Sequence, residues 1–437
     1  MPRPHPKKSL PLLEPSQNDW EIERLVPGGA GFLRLASGQG AFARGALPGE
    51  RIRVEQAEDH RTYLQATRWS LVSPSADRVS PACPVQARCG GCDLMTLNEH
   101  AQLAAKAGIL REALTRTGHF QALPEIQFVP SERTLRYRSR IRLHIATDGR
   151  VGFFAAHSQE LVEIPGCLVA DAELDRALQT LRELVRAHRA AFSRFAELEL
   201  RVAPAGPRLS LCLVPRSPEL GRTNELLRAL GGAFQVSIAE RAVDPEHDQR
   251  FPLPNGVELR APAHAFTQVN WSVNQALVQA VLDGAAARSA RTFLDLYAGA
   301  GNFSLPLSAS GLSGIGIEAA PSSIAAAKRA AEPQALRHVR FIAGDVLRAL
   351  AELPAEERFD LVVLDPPRSG AREILPELVR RKPAAIAYCA CDPVTLARDL
   401  RTLCDAGYAL ESVTGFDMFP QTHHFETLAW LGLAAPG

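Results

Sequence analysis

No run in this 437-residue chain approaches the ~20 consecutive apolar residues that a membrane-spanning helix needs. The first ten residues, Met1 to Leu10, are basic and carry prolines, but they lack the apolar core of a signal peptide. These two absences make a cytoplasmic protein with no membrane partner the expectation. An excess of one charge is missing too. The 49 Lys and Arg against 48 Asp and Glu leave a net +1, so global charge announces no nucleic-acid partner. No internal repeat is visible, which sets repeat architectures aside. What remains is an ordinary globular composition, 46% hydrophobic and 22% charged, long enough for two or three domains with their own cores. Eight cysteines are present, at 83, 89, 92, 167, 212, 389, 391 and 404. In a cytoplasmic chain they are not expected to form structural disulfides. Their uneven spacing suggests a metal or cluster site plus a few core or catalytic thiols.

Residues 1 to about 15 read as a disordered lead rich in Pro and Lys. From Asn18 to Trp69 short strands alternate with glycine turns, the pattern of a small barrel. The stretch Gly28 to Ala46 with Leu47-Pro-Gly-Glu50 resembles the TRAM domain, an OB-like RNA-binding barrel. Residues 73 to 93 form a loop holding three cysteines, and Thr96 to Thr117 has helical periodicity. The middle of the chain mixes strands at Arg136–Ile145, Val151–Phe154, Leu198–Val202 and Leu209–Pro215 with a helix near Asp171–Arg194, an α+β unit. From Thr267 the order becomes strand, loop, helix. Strands are expected at Phe293–Tyr297, Gly314–Glu318, Val339–Ala343, Leu361–Asp365 and Ala385–Cys389, with two more near Ala409–Thr414 and Glu426–Leu431. That is an α/β, doubly wound domain with a parallel core. The expected division is an OB-like barrel at 15–72, a central α+β domain at 73–93 and 125–262, and the doubly wound domain at 94–124 and 263–437.

Asp295-Leu-Tyr-Ala-Gly-Ala-Gly-Asn302 is a strand followed by a glycine loop, and glycines let a backbone approach a ligand closely. Glu318 closes the next strand, 23 residues later, where a carboxylate would bond ribose hydroxyls. A dinucleotide is the competitor. The G-x-G-x-x-G/A pattern is met imperfectly, with Ser304 in its third place, and a carboxylate at Asp295 would repel a pyrophosphate. The pattern therefore favours S-adenosylmethionine over NAD. Gly344-Asp345 suits an adenine contact. Asp365-Pro-Pro-Arg368 ends the fourth strand. Enzymes that methylate exocyclic amines usually have an aromatic after the two prolines, and Arg368 argues against that chemistry.

Cys391 lies in Tyr388-Cys-Ala-Cys-Asp-Pro393, just after an apolar strand. A strand cysteine is usually a packed core thiol, and Cys389 and Cys404 read that way. On the sheet that carries the glycine loop, Cys391 reads instead as a nucleophile. Carbon 5 of uracil is too weak to attack a sulfonium methyl until a thiolate adds at carbon 6. Release then needs a base to take the carbon 5 proton. Glu426, ending the proline-bounded segment from Phe416, is the candidate base.

The motifs Asp-Leu-Tyr-x-Gly-x-Gly-Asn-Phe, Asp-Pro-Pro-Arg and Cys-Asp-Pro, the cysteine set and the barrel are similar to those of the RNA uracil-5 methyltransferases over residues 20–432. The resemblance is nearest the bacterial branch that acts on 23S ribosomal RNA and carries a TRAM domain and an iron–sulfur cluster. A transfer-RNA enzyme and an inactive RNA-binding protein stay open as alternatives. The resemblance implies a class I S-adenosylmethionine methyltransferase domain, an RNA partner and a monomer. It gives cofactor contacts to Gln268, Tyr297, Asn302, Glu318, Asp345 and Asp365, with Cys391 as nucleophile and Glu426 as base. Two positions depart from the family pattern: Asp392 stands where many members have Asn, and Gln421 where His is expected.

Cys83, Cys89 and Cys92 share a loop with Gly90 and Gly91, and Cys167 follows in Ile164-Pro-Gly-Cys. Four thiolates suit zinc or a 4Fe–4S cluster, and spacing does not separate them. The resemblance favours the 4Fe–4S cluster with Cys167 as fourth ligand. Four cysteines would close it, which points to a structural role. Arg136, Arg138, Arg140 and Arg142 alternate; on one strand they would share a face able to hold phosphates.

Overall fold

The computed structural model describes residues 19–156, 158–205, 209–219, 223–239, 248–263 and 265–434. The expected N-terminal lead lies outside the described residues. So do residues 15–18 of the expected barrel range.

Six strands build the first unit: β1 (Asp19–Glu21), β2 (Arg24–Leu25), β3 (Ala30–Arg34), β4 (Gly40–Arg44), β5 (Arg51–Asp59) and β6 (Tyr63–Ser73). β1 and β2 are the two halves of one bent strand. The first half pairs with β5 and the second with β3, so the bend closes the sheet on itself. The circuit continues β3–β4 antiparallel, β4–β6 parallel and β6–β5 antiparallel. Counted as five strands, this is the OB connectivity. Alternation drives closure: Ile52 and Val54 point in beside Trp20, Ile22 and Leu64, while Arg51 and Arg53 point out.

Helix α1 (Glu99–Arg116) starts at Asn98, whose side chain accepts the Ala101 N–H. Its Ile109, Leu110, Ala113 and Leu114 enter the core on one face of the largest sheet. β7 (Ile126–Val129) follows. The central sheet then holds β8 (Arg140–Ile145), β9 (Val151–Phe154), β10 (Leu161–Val162), β11 (Phe195–Val202), β12 (Leu209–Pro215) and β13 (Gln235–Ile238), in the order β10-β9-β8-β11-β12-β13. α2 (Ala172–Ala187) covers it with Leu174, Leu178, Leu181 and Val185; α3 (Arg189–Phe192) and α4 (Asn224–Gly231) complete the layer. A hairpin, β14 (Gln249–Pro252) and β15 (Glu258–Ala261), leads to α5 (Trp271–Ala287).

The largest sheet alternates β16 (Thr292–Leu296), α6 (Ser304–Ala309), β17 (Ser313–Glu318), α7 (Pro321–Ala331), β18 (Val339–Ala343), α8 (Val346–Glu352), β19 (Leu361–Leu364), α9 (Leu375–Arg381), β20 (Ala385–Ala390), α10 (Pro393–Asp405), β21 (Tyr408–Phe416) and β22 (Glu426–Leu433). Its order is β18-β17-β16-β19-β20-β22-β21-β7. β16 to β20 are mutually parallel, and β22 runs antiparallel between β20 and β21. Strands buried on both faces explain the apolar runs: every residue of β19 and β20 is buried. The strand order reverses between β16 and β19, so a crevice opens there at the strands' carboxyl ends. Among the described residues no helix is long and apolar enough to cross a membrane.

Two sequence expectations change. Residues 126–129, placed with the central unit, pair with β21 at the edge of the large sheet. The arginine stripe is split. The strand begins at Arg140, whereas Arg136 has φ 57° and Arg138 bridges Ala170 and Asn270. Arg136 pairs with Asp175 at 2.7 Å, Arg140 with Glu199 at 3.7 Å, and Arg142 with Glu199 at 3.3 Å and Glu197 at 3.7 Å. The opposite face is buried as expected, with Tyr137, Ile141 and Leu143. Arg136, Arg140 and Arg142 are matched by carboxylates from α2 and β11, so the four arginines do not form one continuous phosphate-binding face.

Candidate active site

Five of the sequence-selected residues stand at the carboxyl ends of neighbouring parallel strands: Tyr297 after β16, Glu318 ending β17, Asp345 after β18, Asp365 after β19 and Cys391 after β20. The glycine loop after β16 needs left-handed backbone. Tyr297, Gly299 and Gly301 have φ 66°, 54° and 94°. A Cβ at Gly301 would lie 2.9 Å from Leu305 Cγ, whereas Gly299 faces open space, with nothing within 4 Å of where its Cβ would be. Glu318 is oriented by the loop itself: Oε2 accepts the Gly299 N–H at 3.1 Å and Oε1 the Ala320 N–H at 2.8 Å. Asp295 is fully buried. Ser304 Oγ donates to its Oδ2 at 2.5 Å and its Oδ1 has no partner. Burial, with Asp365 and Glu318 nearby, pushes its carboxyl up to about 7 against the Ser304 bond. An orphaned acceptor, a fixed carboxylate and open space at Gly299 fit a polar, cationic nucleoside.

The other expected cofactor residues are placed as follows. Asn302 exchanges two side-chain hydrogen bonds with Asn274 of α5, at 2.9 and 3.0 Å. Asp345 caps α8, accepting the Arg348 N–H at 3.0 Å, and is exposed. Gln268 is buried just before α5. Burial, with Asp345 and other carboxylates nearby, raises the Tyr297 phenol to about 12.

Cys391 and Glu426 face each other through β-pairing. Ala390 on β20 pairs with Thr427 on the antiparallel β22, so the next residues outward are the two candidates. Cys391 is half-buried and Glu426 is buried. Burial, then the Glu426 carboxylate, pushes the Cys391 thiol up to about 11, while Arg368 pulls it down. Burial and the neighbouring Asp365 hold Glu426 well above the usual carboxylate range, again opposed by Arg368. Asp365 itself is raised by burial to about 6. Arg368, selected in the sequence only as a non-aromatic, is thus the cation that both candidates see. Beneath them Tyr388 donates to Asp399 at 2.7 Å, and both accept the Ala371 N–H. Asp392 caps α10, accepting the Val394 and Thr395 N–H groups, a task Asn performs equally well.

The segment 417–425 between β21 and Glu426 is pinned at several points, which spacing alone did not reveal. Lys106 of α1, fully buried, reaches Asp417 at 2.5 Å and the Phe419 carbonyl at 3.1 Å. Gln102 accepts the Gln421 N–H at 2.9 Å and donates to its side chain at 3.1 Å. Gln421 therefore secures the loop, with φ 68°. Tyr137 donates to the Pro420 carbonyl at 3.0 Å. Asp93 accepts the His423 N–H at 3.0 Å and also contacts its Nδ1. One signal was available: Gln102 and Lys106 are polar residues on the apolar stripe of α1 that continues at Ile109 and Ala113.

Cys83, Cys89, Cys92 and Cys167 line one cavity of ≈ 510 Å³ together with Arg138, Arg140 and Arg142. Burial pushes Cys92 up to about 12 and raises Cys89 and Cys167, and each thiol feels its neighbours. Among the described residues no three His, Cys, Asp or Glu side chains are grouped closely enough to hold a metal ion. Cys389 is buried among core residues, in accord with a packing role.

The family model described as tRNA (Uracil-5-)-methyltransferase matches residues 255–433. The chain is 34% identical over 402 residues to the 23S rRNA (uracil(1939)-C(5))-methyltransferase RlmD of Aeromonas hydrophila, covering 90% of this chain and 91% of that protein. The protein of the same name from Shewanella piezotolerans is 33% identical, with 92% of each chain covered. Among solved structures, the Pyrococcus abyssi tRNA (uracil-54, C5)-methyltransferase in complex with S-adenosyl-L-homocysteine superposes with a TM-score of 0.75. It is 26% identical and covers 95% of this chain and 100% of that one.

Proposed function

Because the chain belongs to the RNA uracil-5 methyltransferase family, as an S-adenosylmethionine-dependent enzyme acting on uracil carbon 5, we propose that it methylates one uridine of 23S ribosomal RNA through a covalent bond between Cys391 and carbon 6. The observation that carries the mechanism is the register of β20 against β22, which sets Cys391 opposite Glu426. The choice of ribosomal RNA is supported by the relatives that share most of this chain.

Cys391 Sγ adds to carbon 6, and the electron pair of the 5,6 double bond moves toward the carbon 4 carbonyl. Arg368, the cation that faces Cys391 and Glu426, favours the thiolate. When bound, S-adenosylmethionine supplies an electrophilic sulfonium methyl. Glu318, Asp345 and Asp365 would hold it at the strand ends with Gln268, Tyr297 and Asn302. Carbon 5 takes the methyl as the methyl–sulfur bond breaks, the sulfur keeping that electron pair as a neutral thioether, and the remaining proton on carbon 5 passes to a Glu426 carboxylate oxygen. The freed pair re-forms the double bond and expels the thiolate. A buried carboxyl held above its usual range is a stronger base for that proton. The target uridine must leave its base stack to reach the thiol.

We propose that the four thiols sharing one cavity hold a 4Fe–4S cluster rather than zinc. A cluster holds each thiolate on a separate iron, so its ligands need not crowd one point. Cys83, Cys89, Cys92 and Cys167 would be its ligands, and four of them leave no open iron.

Glu426→Gln tests the mechanism. Methyl transfer should proceed and stop, leaving RNA linked to the protein in a denaturing gel; release of product at the normal rate refutes Glu426 as base. Mass mapping of methyluridine in RNA from cells with and without the protein tests the substrate, and loss of a transfer-RNA methyluridine alone refutes ribosomal RNA.

A further inference from the structure

The base loop is held where three parts of the chain meet. Asp93 immediately follows Cys92 and is 330 residues from its partner. Its Oδ1 accepts the His423 backbone N–H at 3.0 Å, and Oδ2 contacts the His423 ring. The next residue of the cysteine loop, Leu94, donates its N–H to the Gln421 carbonyl at 3.0 Å. The barrel enters the same point: Gly29, with φ +74°, packs so closely that a Cβ there would fall on the Asp93 carboxylate and within 3.0 Å of His423 Nδ1. Three residues after His423 comes Glu426, whose strand begins there.

We propose that Asp93 is a positioning residue for Glu426, and that the Asp93–His423–Gly29 joint makes proton removal from carbon 5 depend on the seating of the barrel and cysteine loop. The proposal rests on Glu426 as base and adds a dependence that this assignment does not require. A carboxylate at the start of a strand is set by the loop that feeds it. Here that loop is tied to groups the RNA-binding parts own, and displacing a general base by about 1 Å costs on the order of 100-fold. Methyl transfer uses Cys391 and the strand-end carboxylates, none of which touches the joint. Loosening it should therefore slow the last step selectively.

Asp93→Ala should lower kcat roughly tenfold or more while the KM for RNA stays within about threefold, and RNA should accumulate as the covalent adduct. Amides of residues 417–425 should exchange faster with deuterium, and S-adenosylhomocysteine affinity should be unchanged. Asp93→Asn keeps an acceptor for the His423 N–H and should restore turnover. Gly29→Ala, reaching the pair from the barrel, should reproduce the adduct. Should Asp93→Ala fail to fold, Gly29→Ala and His423→Gln decide the matter by the same readout. If Glu426→Gln traps adduct while these variants release product without it, the joint is refuted and the base stands. If Glu426→Gln traps none, the base assignment itself fails.

Discussion

Replacing Lys106 by Met removes one half of a buried ion pair whose worth follows from its surroundings. Lys106 is fully buried and Asp417 4% exposed, with Nζ and Oδ1 2.5 Å apart. Water therefore neither screens the charges nor replaces the lost partner. An exposed pair would be worth about 0–1 kcal/mol; leaving Asp417 buried and uncompensated costs about 3–5 kcal/mol. The Phe419 carbonyl loses the Nζ donor but keeps the Thr422 N–H and hydroxyl, so it adds no separate penalty. Asp417→Leu should cost a similar amount by stranding the ammonium. The double variant, which buries no charge, should return to within about 1–2 kcal/mol of the parent. Urea denaturation followed by far-ultraviolet circular dichroism gives all four corners of the cycle. Single variants that lose under about 1 kcal/mol, or a double variant equal to their sum, refute the reasoning. Because Lys106 anchors the loop ahead of Glu426, the single variants should also lose turnover at temperatures where they remain folded.

Cys391→Ala should abolish both turnover and the covalent RNA adduct, read on a denaturing gel; any adduct that persists refutes the nucleophile. Glu318→Ala removes the acceptor of the Gly299 and Ala320 N–H groups. It should weaken S-adenosylhomocysteine binding by about 1.5–3 kcal/mol, measured by calorimetry. Gly301→Ala places a Cβ at φ +94° and 2.9 Å from Leu305 Cγ, and should destabilise the chain by about 1–3 kcal/mol in the same urea assay. Arg24 binds Glu112 at 2.8 and 3.0 Å, joining the barrel to α1. Burial raises the Glu112 carboxyl, but Arg24 outweighs it and the net shift is downward. The stabilisation is thus fully present above about 4.5 and is lost as pH falls through the lower folded value. Acid should loosen the barrel first, and Glu112→Gln should remove that pH dependence in hydrogen exchange of β2.

The parallel strands were legible because burial on both faces writes itself as apolar runs: Val339–Ala343 is found as expected, and β19 and β20 end within a residue of expectation. The candidate residues were legible because carboxylates, glycines and a cysteine at strand ends form local motifs. Long-range pairing was not. Nothing near Ile126 announces that it joins β21, since its partner Val413 is almost three hundred residues away. Arg136 to Arg142 alternate as a strand would, yet the turn at Arg136 is imposed by its bond to the Leu168 carbonyl and by Asp175. The same holds for the anchors of the base loop, where Lys106 and Asp417 are 311 positions apart.

β22 inserts between β20 and β21 and is the last strand described. During synthesis, β20 therefore waits as an open, wholly apolar edge until residues 426–433 have left the ribosome. Such an edge is a template for pairing with other chains. The protein is thus most vulnerable to aggregation in the interval before residues 426–433 emerge. A nascent chain stalled before residue 426 would possess the cofactor crevice and the thiol but not the carboxylate opposite it.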